Sequence, residues 1–206
     1  MTRTRLEAFS DGVIAIIITV MVLEMHAPRG ADIAALKPLL PVLLSYVLSY
    51  VYLGIYWSNH HHLFQLVKRV SGPILWANLH LLFWLSLIPF VTAWMGQNHF
   101  RPLPVAMYGV VLLCAAIAYY ILTRALLRQH GQESLLARAI RQGLKEKISM
   151  LLYVTAIPLA LWRPVIAQGI FAIVAIVWLV PDTRVERTLA ETKAAEMATD
   201  SKADLG

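Results

Sequence analysis

Six stretches of this chain are long and apolar enough to suit a bilayer, and that sets the terms for any fold. A helix crossing the hydrocarbon core takes ~20 mainly apolar residues. The stretches are residues 9–25 (FSDGVIAIIITVMVLEM), 39–64, 74–95, 103–123, 148–162 and 165–180. The last two are short, with Arg163 and Pro164 between them. They form either one re-entrant hairpin or two full spans, the fifth starting within residues 144–147 and the sixth ending at Pro181; we take the two-span reading. The chain is then expected to be an all-α integral membrane protein, with a six-helix transmembrane domain at 1–181 and a C-terminal tail at 182–206. Its composition agrees: 59% of the residues are hydrophobic and 15% charged, whereas soluble domains carry roughly 25% charged residues.

The first stretch could be mistaken for a secretory signal. Such a signal ends in a small-residue cleavage site and seldom carries an acid at the head of its apolar section. Here Asp11 opens the run and "EMHAPRGAD" follows it without a small-x-small pattern, so the segment is read as a retained helix. An even number of spans returns both termini to one face. That face carries Arg3, Arg5, Lys68, Arg69, Arg124, Arg128, Arg138, Arg141, Lys145, Lys147, Arg184, Arg187, Lys193 and Lys202. The other has only Arg29, Lys37, Arg101 and Arg163. The positive-inside rule makes the first group, and both termini, cytoplasmic. Topology therefore accounts for the net charge of +6, and no nucleic-acid partner is expected. Anionic headgroups of membrane lipids are natural contacts for the basic cluster.

Catalysis finds little support. There is no HExxH, no nucleotide-binding glycine loop, and a single cysteine, Cys114, in an apolar segment. The expectation is no enzyme, no cofactor and no resident metal. The run "NHHH" at 59–62 could offer imidazoles to a metal, with His80 approaching from the third span. The competing reading is polar packing, since adjacent residues on a helix point in different directions and buried polar side chains join helices in membranes. The opening motif does not recur in the fourth span, so a wide symmetric pathway would need several chains.

Within the first span, Ser10 and Asp11 can cap or crosslink the helix at its cytoplasmic end, with Arg5 as a nearby counter-charge, while Glu24 sits near the opposite interface. The bland alternative is that both acids are interfacial helix-end residues. Helical phase selects a further set. Ile16, Thr19 and Leu23 are three and four residues apart and share one stripe. Copies of that stripe around an axis would stack rings of Ile, Thr and Leu, with hydroxyl oxygens between apolar levels. Equally, Ile16 and Leu23 can pack on a neighbour while Thr19 bonds to its own backbone.

The sequence around these residues resembles a known family. Arg5, a three-residue gap, then Phe9-Ser10-Asp11-Gly12 and the apolar run to Leu23-Glu24-Met25 look like the signature of the transmembrane protein 175 family of potassium channels, in its bacterial branch. "YWSNHHHLF" at 56–64 is similar to the family's second recurring segment. The resemblance implies a homotetramer of six-helix subunits, with helix one lining a central pore that lacks the TVGYG filter. It places an apolar constriction at Ile16, a hydroxyl layer at Thr19 and a second apolar layer at Leu23, the residues that phase selects. It gives Arg5, Phe9, Ser10 and Asp11 a structural role, with Trp57, Asn59, His60 and His61 as partners from helix two. The bacterial pattern often has Phe where this chain has Ile14, and Asp where it has Glu24.

The implied activity is passive conduction of potassium and other monovalent cations across the bacterial plasma (inner) membrane. Glu24 would attract cations at the outer mouth, potassium would pass transiently near Thr19, and selectivity would be modest. The alternatives are a proton-coupled transporter using His60, His61 or Asp11 as a relay, and a non-conducting membrane scaffold.

Overall fold

The computed structural model describes residues 2–65, 67, 69–130 and 144–179, and the regular elements among them are all helical. They are α1 (Arg3–Leu23), a 3-10 helix (Ile33–Leu39), α2 (Leu40–Gln65), α3 (Gly72–Ser86), α4 (Ile88–Gln97), α5 (Pro102–His130), α6 (Leu144–Trp162) and α7 (Pro164–Leu179). Among the described residues, four helical segments are long and apolar enough to cross a membrane: Arg3–Leu23, Ile33–Gln65, Gly72–Gln97 and Pro102–Gln129. Pro164–Leu179 is apolar but shorter, and α6 begins with the charged run Lys145, Glu146, Lys147. The expected tail lies outside the described residues.

The third apolar stretch is two helices rather than one. Pro89 has no N–H to offer the carbonyl of Leu85, so the ladder is interrupted there. The chain adjusts at Leu87, whose N–H reaches back to Trp84 O at 3.3 Å, a tighter turn than α-helical. After α4 the chain reverses within four residues. His99 and Phe100 both take left-handed backbone angles (φ 51° and 58°), a conformation that costs a non-glycine residue about 1–2 kcal/mol. The Phe100 N–H recovers part of that by bonding Met95 O at 3.0 Å, which caps a carbonyl of the ended helix.

α5 runs through the middle of the bundle. Val105, Tyr108, Leu112, Ala115, Ala118, Leu122 and Leu126 are buried at steps of three and four, the period of a packed helix face, and α3 and α6 lie along it. Only Arg163 separates α6 from α7. Trp178, near the end of α7, donates from Nε1 to Ser149 near the start of α6 at 2.8 Å, so the pair is antiparallel. Ala156, Ala160, Ala167 and Ala175 are buried there, small residues that let helix backbones approach in lipid.

Polar groups in the interior tie the helices together. The Ser49 hydroxyl on α2 meets Thr92 on α4 at 2.7 Å and Tyr108 on α5 at 3.0 Å. Tyr52 donates to Phe171 O on α7 at 2.7 Å, and Tyr153 on α6 donates to Tyr52 at 3.2 Å. α2 and α4 approach tightly at Gly96, where an added Cβ would lie 2.7 Å from Val42 Cα and collide with Ser45 Oγ. In contrast, Trp76, Trp162 and Val165 are largely exposed, as expected of side chains that face lipid.

Candidate functional site

α1 has two unlike faces. Leu6, Ser10, Ile14, Ile17 and Met21 are buried against α2, α3 and α4. Gly12, Ile16, Thr19 and Leu23 lie on the other face and are exposed, Ile16 at 63% and Leu23 at 78%. Both sets step by three and four residues, so the helix buries one stripe and leaves the opposite one without a partner among the described residues. The three residues selected by phase therefore occur together on the unpartnered stripe. Their layers are separated along the axis by ~4.5 Å and ~6 Å at 1.5 Å per residue. Thr19 donates its hydroxyl proton to Ile16 O at 2.8 Å. That bond leaves the oxygen's lone pairs as acceptors.

Alongside the stripe is an open cleft of about 660 Å³ between α1 and the α3–α4 segment, lined among others by Ile16, Val20, Glu24, Phe90, Trp94 and Gln97. Glu24 is the C-cap of α1 and is exposed. Its backbone carbonyl is within 3.1 Å of His26 Nδ1.

The opposite end of α1 is fastened by side chains. Trp57 on α2 donates from Nε1 to Asp11 Oδ1 at 3.0 Å and stacks on His61, with ring planes 16° apart. Gln65 donates to His61 Nε2 at 2.8 Å, so Nδ1 carries the proton that His61 gives to Glu7 at 2.9 Å. Arg3 completes the group, 3.8 Å from the Glu7 carboxylate and bonded to Gln65 O at 3.0 Å. Deeper in, a line of hydrogen bonds crosses three helices. His60 Nε2 meets Asn78 Oδ1 at 2.7 Å, Asn78 Nδ2 donates to Ser10 Oγ at 2.9 Å, and Ser10 donates to Leu6 O at 2.9 Å. Asn78 Oδ1 can only accept, so His60 is the Nε2–H tautomer. All three residues are fully buried.

Of the residues singled out by sequence, Ser10, Asp11, Trp57, His60 and His61 are thus brought into one fastening. Asn59 instead bonds Ile55 O on its own helix at 2.9 Å. Phe9 is about half exposed. Arg5 is exposed, and Asp11 is engaged by Trp57 rather than by Arg5. His80 lies on α3 away from the triple histidine and accepts from Trp84 at 2.9 Å. No group of three His, Cys, Asp or Glu among the described residues could hold a metal ion. The members that sequence reasoning passed over are Asn78, Glu7, Arg3 and Gln65. Asn78 carried a usable signal, because a lone amide within "ILWANLHLLFWL" must find a partner if it is buried.

Comparison with known proteins bears on this arrangement. The profile of a family described as "Endosomal/lysosomal potassium channel TMEM175" matches residues 5–89. A Chryseobacterium protein named as a potassium channel is 55% identical over 191 residues, covering 93% of this chain and all of its own length. A Danio rerio protein named as an endosomal/lysosomal proton channel is 27% identical over 132 residues, which span 62% of this chain and 24% of that one. Among solved structures, the crystal structure of a lysosomal potassium-selective channel TMEM175 homologue from Chamaesiphon minutus matches with a TM-score of 0.75 at 26% identity. The match covers 86% of this chain and 96% of the other.

Proposed function

This chain belongs to the TMEM175 family, and from that premise we propose that it is a passive, potassium-permeable cation channel. The observation that carries the proposal is the unpartnered stripe of α1, where Ile16, Thr19 and Leu23 are exposed on a helix whose other face is buried. In a multi-pass membrane protein such a stripe faces lipid, another chain or water. A homotetramer would turn four copies of it toward a common axis and would offer each subunit's open cleft to its neighbour.

In that assembly the chain crosses the bilayer six times, α3 and α4 together forming the third crossing and the α6–α7 hairpin the last two. Both termini face the cytoplasm of a bacterial inner membrane. Glu24 raises the local cation concentration at the outer mouth. The Thr19 oxygens, whose protons are committed to Ile16 carbonyls, replace part of a potassium ion's hydration. Ile16 is the narrowest barrier, which blocks ions while it stays dry and conducts once it widens or turns aside. A ring of single hydroxyls is a weaker discriminator than a carbonyl cage, so potassium is favoured over sodium only modestly. No cofactor takes part. Arg5, Phe9, Ser10 and Asp11, with Trp57, Asn59, His60 and His61, hold the helix rather than touch the ion.

The test is a potassium-gradient flux assay on purified protein in liposomes, with wild type beside Ile16→Asn. A polar side chain at the constriction should wet it and raise flux. Unchanged flux from a correctly assembled variant rejects Ile16 as the barrier. No flux above empty liposomes from either protein favours a non-conducting scaffold, and uphill transport driven by a pH gradient favours a proton-coupled transporter.

A further inference from the structure

Away from α1, a cavity of about 40 Å³ lies between α2, α5, α6 and α7, near the end of the bundle where α2 finishes and α6 begins. Its walls are mainly aromatic, with Tyr52, Tyr56, Tyr119, Tyr153 and Trp178 around the carboxylate of Glu146. Several polar groups of the lining are already engaged. Tyr52 and Tyr153 donate across the bundle, Trp178 donates to Ser149 and Ser149 to Lys145 O, and the Asn59 amide nitrogen donates to Ile55 O. Left over are two acceptors and the Tyr56 hydroxyl, which can donate or accept. The Glu146 carboxylate makes no hydrogen bond or ion pair among the described residues, and the Asn59 Oδ1 oxygen is likewise open.

An acceptor pair inside a box of aromatic faces calls for a cation that can also donate hydrogen bonds, which is an ammonium. Each water-sized group needs ~10–15 Å³. The cavity therefore has room for an ammonium head, and a trimethylated one has no N–H to give the two acceptors. The surroundings of the cavity carry the opposite requirement. Arg124 is exposed, lies over the Tyr120 ring at 4.9 Å and is within electrostatic reach of Glu146. Lys147 is exposed on α6. A carboxylate inside, with Arg124 in electrostatic reach of it and Lys147 next to it in the chain, complements a zwitterion whose ammonium enters first and whose phosphate stays outside.

We propose that this cavity binds a primary ammonium group, seated on Glu146 and Asn59 and faced by the tyrosine rings. The group comes either from an ethanolamine phospholipid, whose phosphate meets Arg124 and Lys147, or from a free small amine. The site lies off the α1 stripe and does not depend on the conduction reading.

The experiment is thermal unfolding of the purified full chain in sodium buffer against ethylammonium chloride and tetramethylammonium chloride at matched ionic strength. Ethylammonium should raise the midpoint and tetramethylammonium should not. Glu146→Gln should weaken the ethylammonium effect roughly tenfold or more, the scale of a lost charge-assisted hydrogen bond. Native mass spectrometry from nanodiscs of ethanolamine or glycerol phospholipid separates the sources. An ethanolamine-lipid adduct lost in Glu146→Gln assigns the lipid, and ethylammonium binding without such an adduct assigns the free amine. Equal shifts from the two cations, or equal ethylammonium affinity in wild type and Glu146→Gln, overturns the proposal, as does the absence of both a shift and an adduct. Should the variant fail to fold, the discrimination between the donor and non-donor cations measured on wild type still decides.

Discussion

Replacing Asn78 with Leu should loosen α1 from the bundle by an amount that can be worked out in advance. Asn78 joins α2 to α1 through α3, accepting from His60 at 2.7 Å and donating to Ser10 at 2.9 Å. Leucine keeps much of the volume and removes both bonds. Interhelical hydrogen bonds in membrane proteins contribute about 0.6 kcal/mol on average and up to about 1.7 kcal/mol, so the two together are worth ~1–3.5 kcal/mol. The loss should fall in the upper half of that range, because the His60 N–H is left buried without an acceptor. Ser10→Ala removes one of those interhelical bonds, along with the Ser10 bond to Leu6 O in its own helix, and should cost about 1–2 kcal/mol. The assay is reversible unfolding in mixed micelles as the fraction of denaturing detergent rises, followed by tryptophan fluorescence, on wild type, both single variants and the double variant. Because Ser10 and Asn78 share a bond, the losses should be non-additive by ~0.6–1.7 kcal/mol. Strict additivity, or an Asn78→Leu protein as stable as wild type, would refute the reasoning.

Two further outcomes are expected. Thr19→Val keeps the shape of the stripe and removes its oxygen, so the reversal potential under mixed potassium and sodium gradients should move toward non-selective; identical reversal potentials would place selectivity elsewhere. Gly96→Ala forces a Cβ to within 2.7 Å of Val42 Cα, and overpacking of this kind costs about 1–3 kcal/mol. It should lower the unfolding midpoint, whereas Gly12→Ala, with nothing within 4 Å of its added carbon, should not.

What sequence could and could not supply follows from what each signal measures. Apolar length located the helices closely: residues 39–64 against Leu40–Gln65, and the start of residues 103–123 against Pro102. At its other end α5 continues to His130, because hydropathy marks where lipid ends and the helical ladder runs on. A proline such as Pro89 is itself a sign that a helix can break, but the displacement of the break to Leu87 needed the backbone. Pro158 carries the same warning yet sits inside the continuous α6, so a proline in a membrane span is ambiguous without its neighbours. The site divides in the same way. Phase along one helix is encoded in residue spacing, and it grouped Ile16, Thr19 and Leu23 on one stripe of α1; which stripe is buried depends on the neighbouring helices. Pairing between helices depends on how each is rotated about its own axis. Spacing does not carry that information, so the partners of Asp11, His60 and His61, and the place of Asn78 among them, emerge only in three dimensions.

The fastening of α1 is lopsided. Every side-chain hydrogen bond or ion pair from α1 to another helix, among the described residues, starts at Arg3, Glu7, Ser10 or Asp11. Beyond Asp11 the helix leans on Ile14, Ile17 and Met21, apolar contacts with no preferred direction. Mechanically it is a cantilever, clamped at its base and greased along its length. Ile16 stands ~9 Å and Leu23 ~20 Å beyond Ser10 at 1.5 Å per residue. A small tilt at the clamp therefore carries the Leu23 level about twice as far as the Ile16 level, and the two apolar layers part by unequal amounts in a single motion.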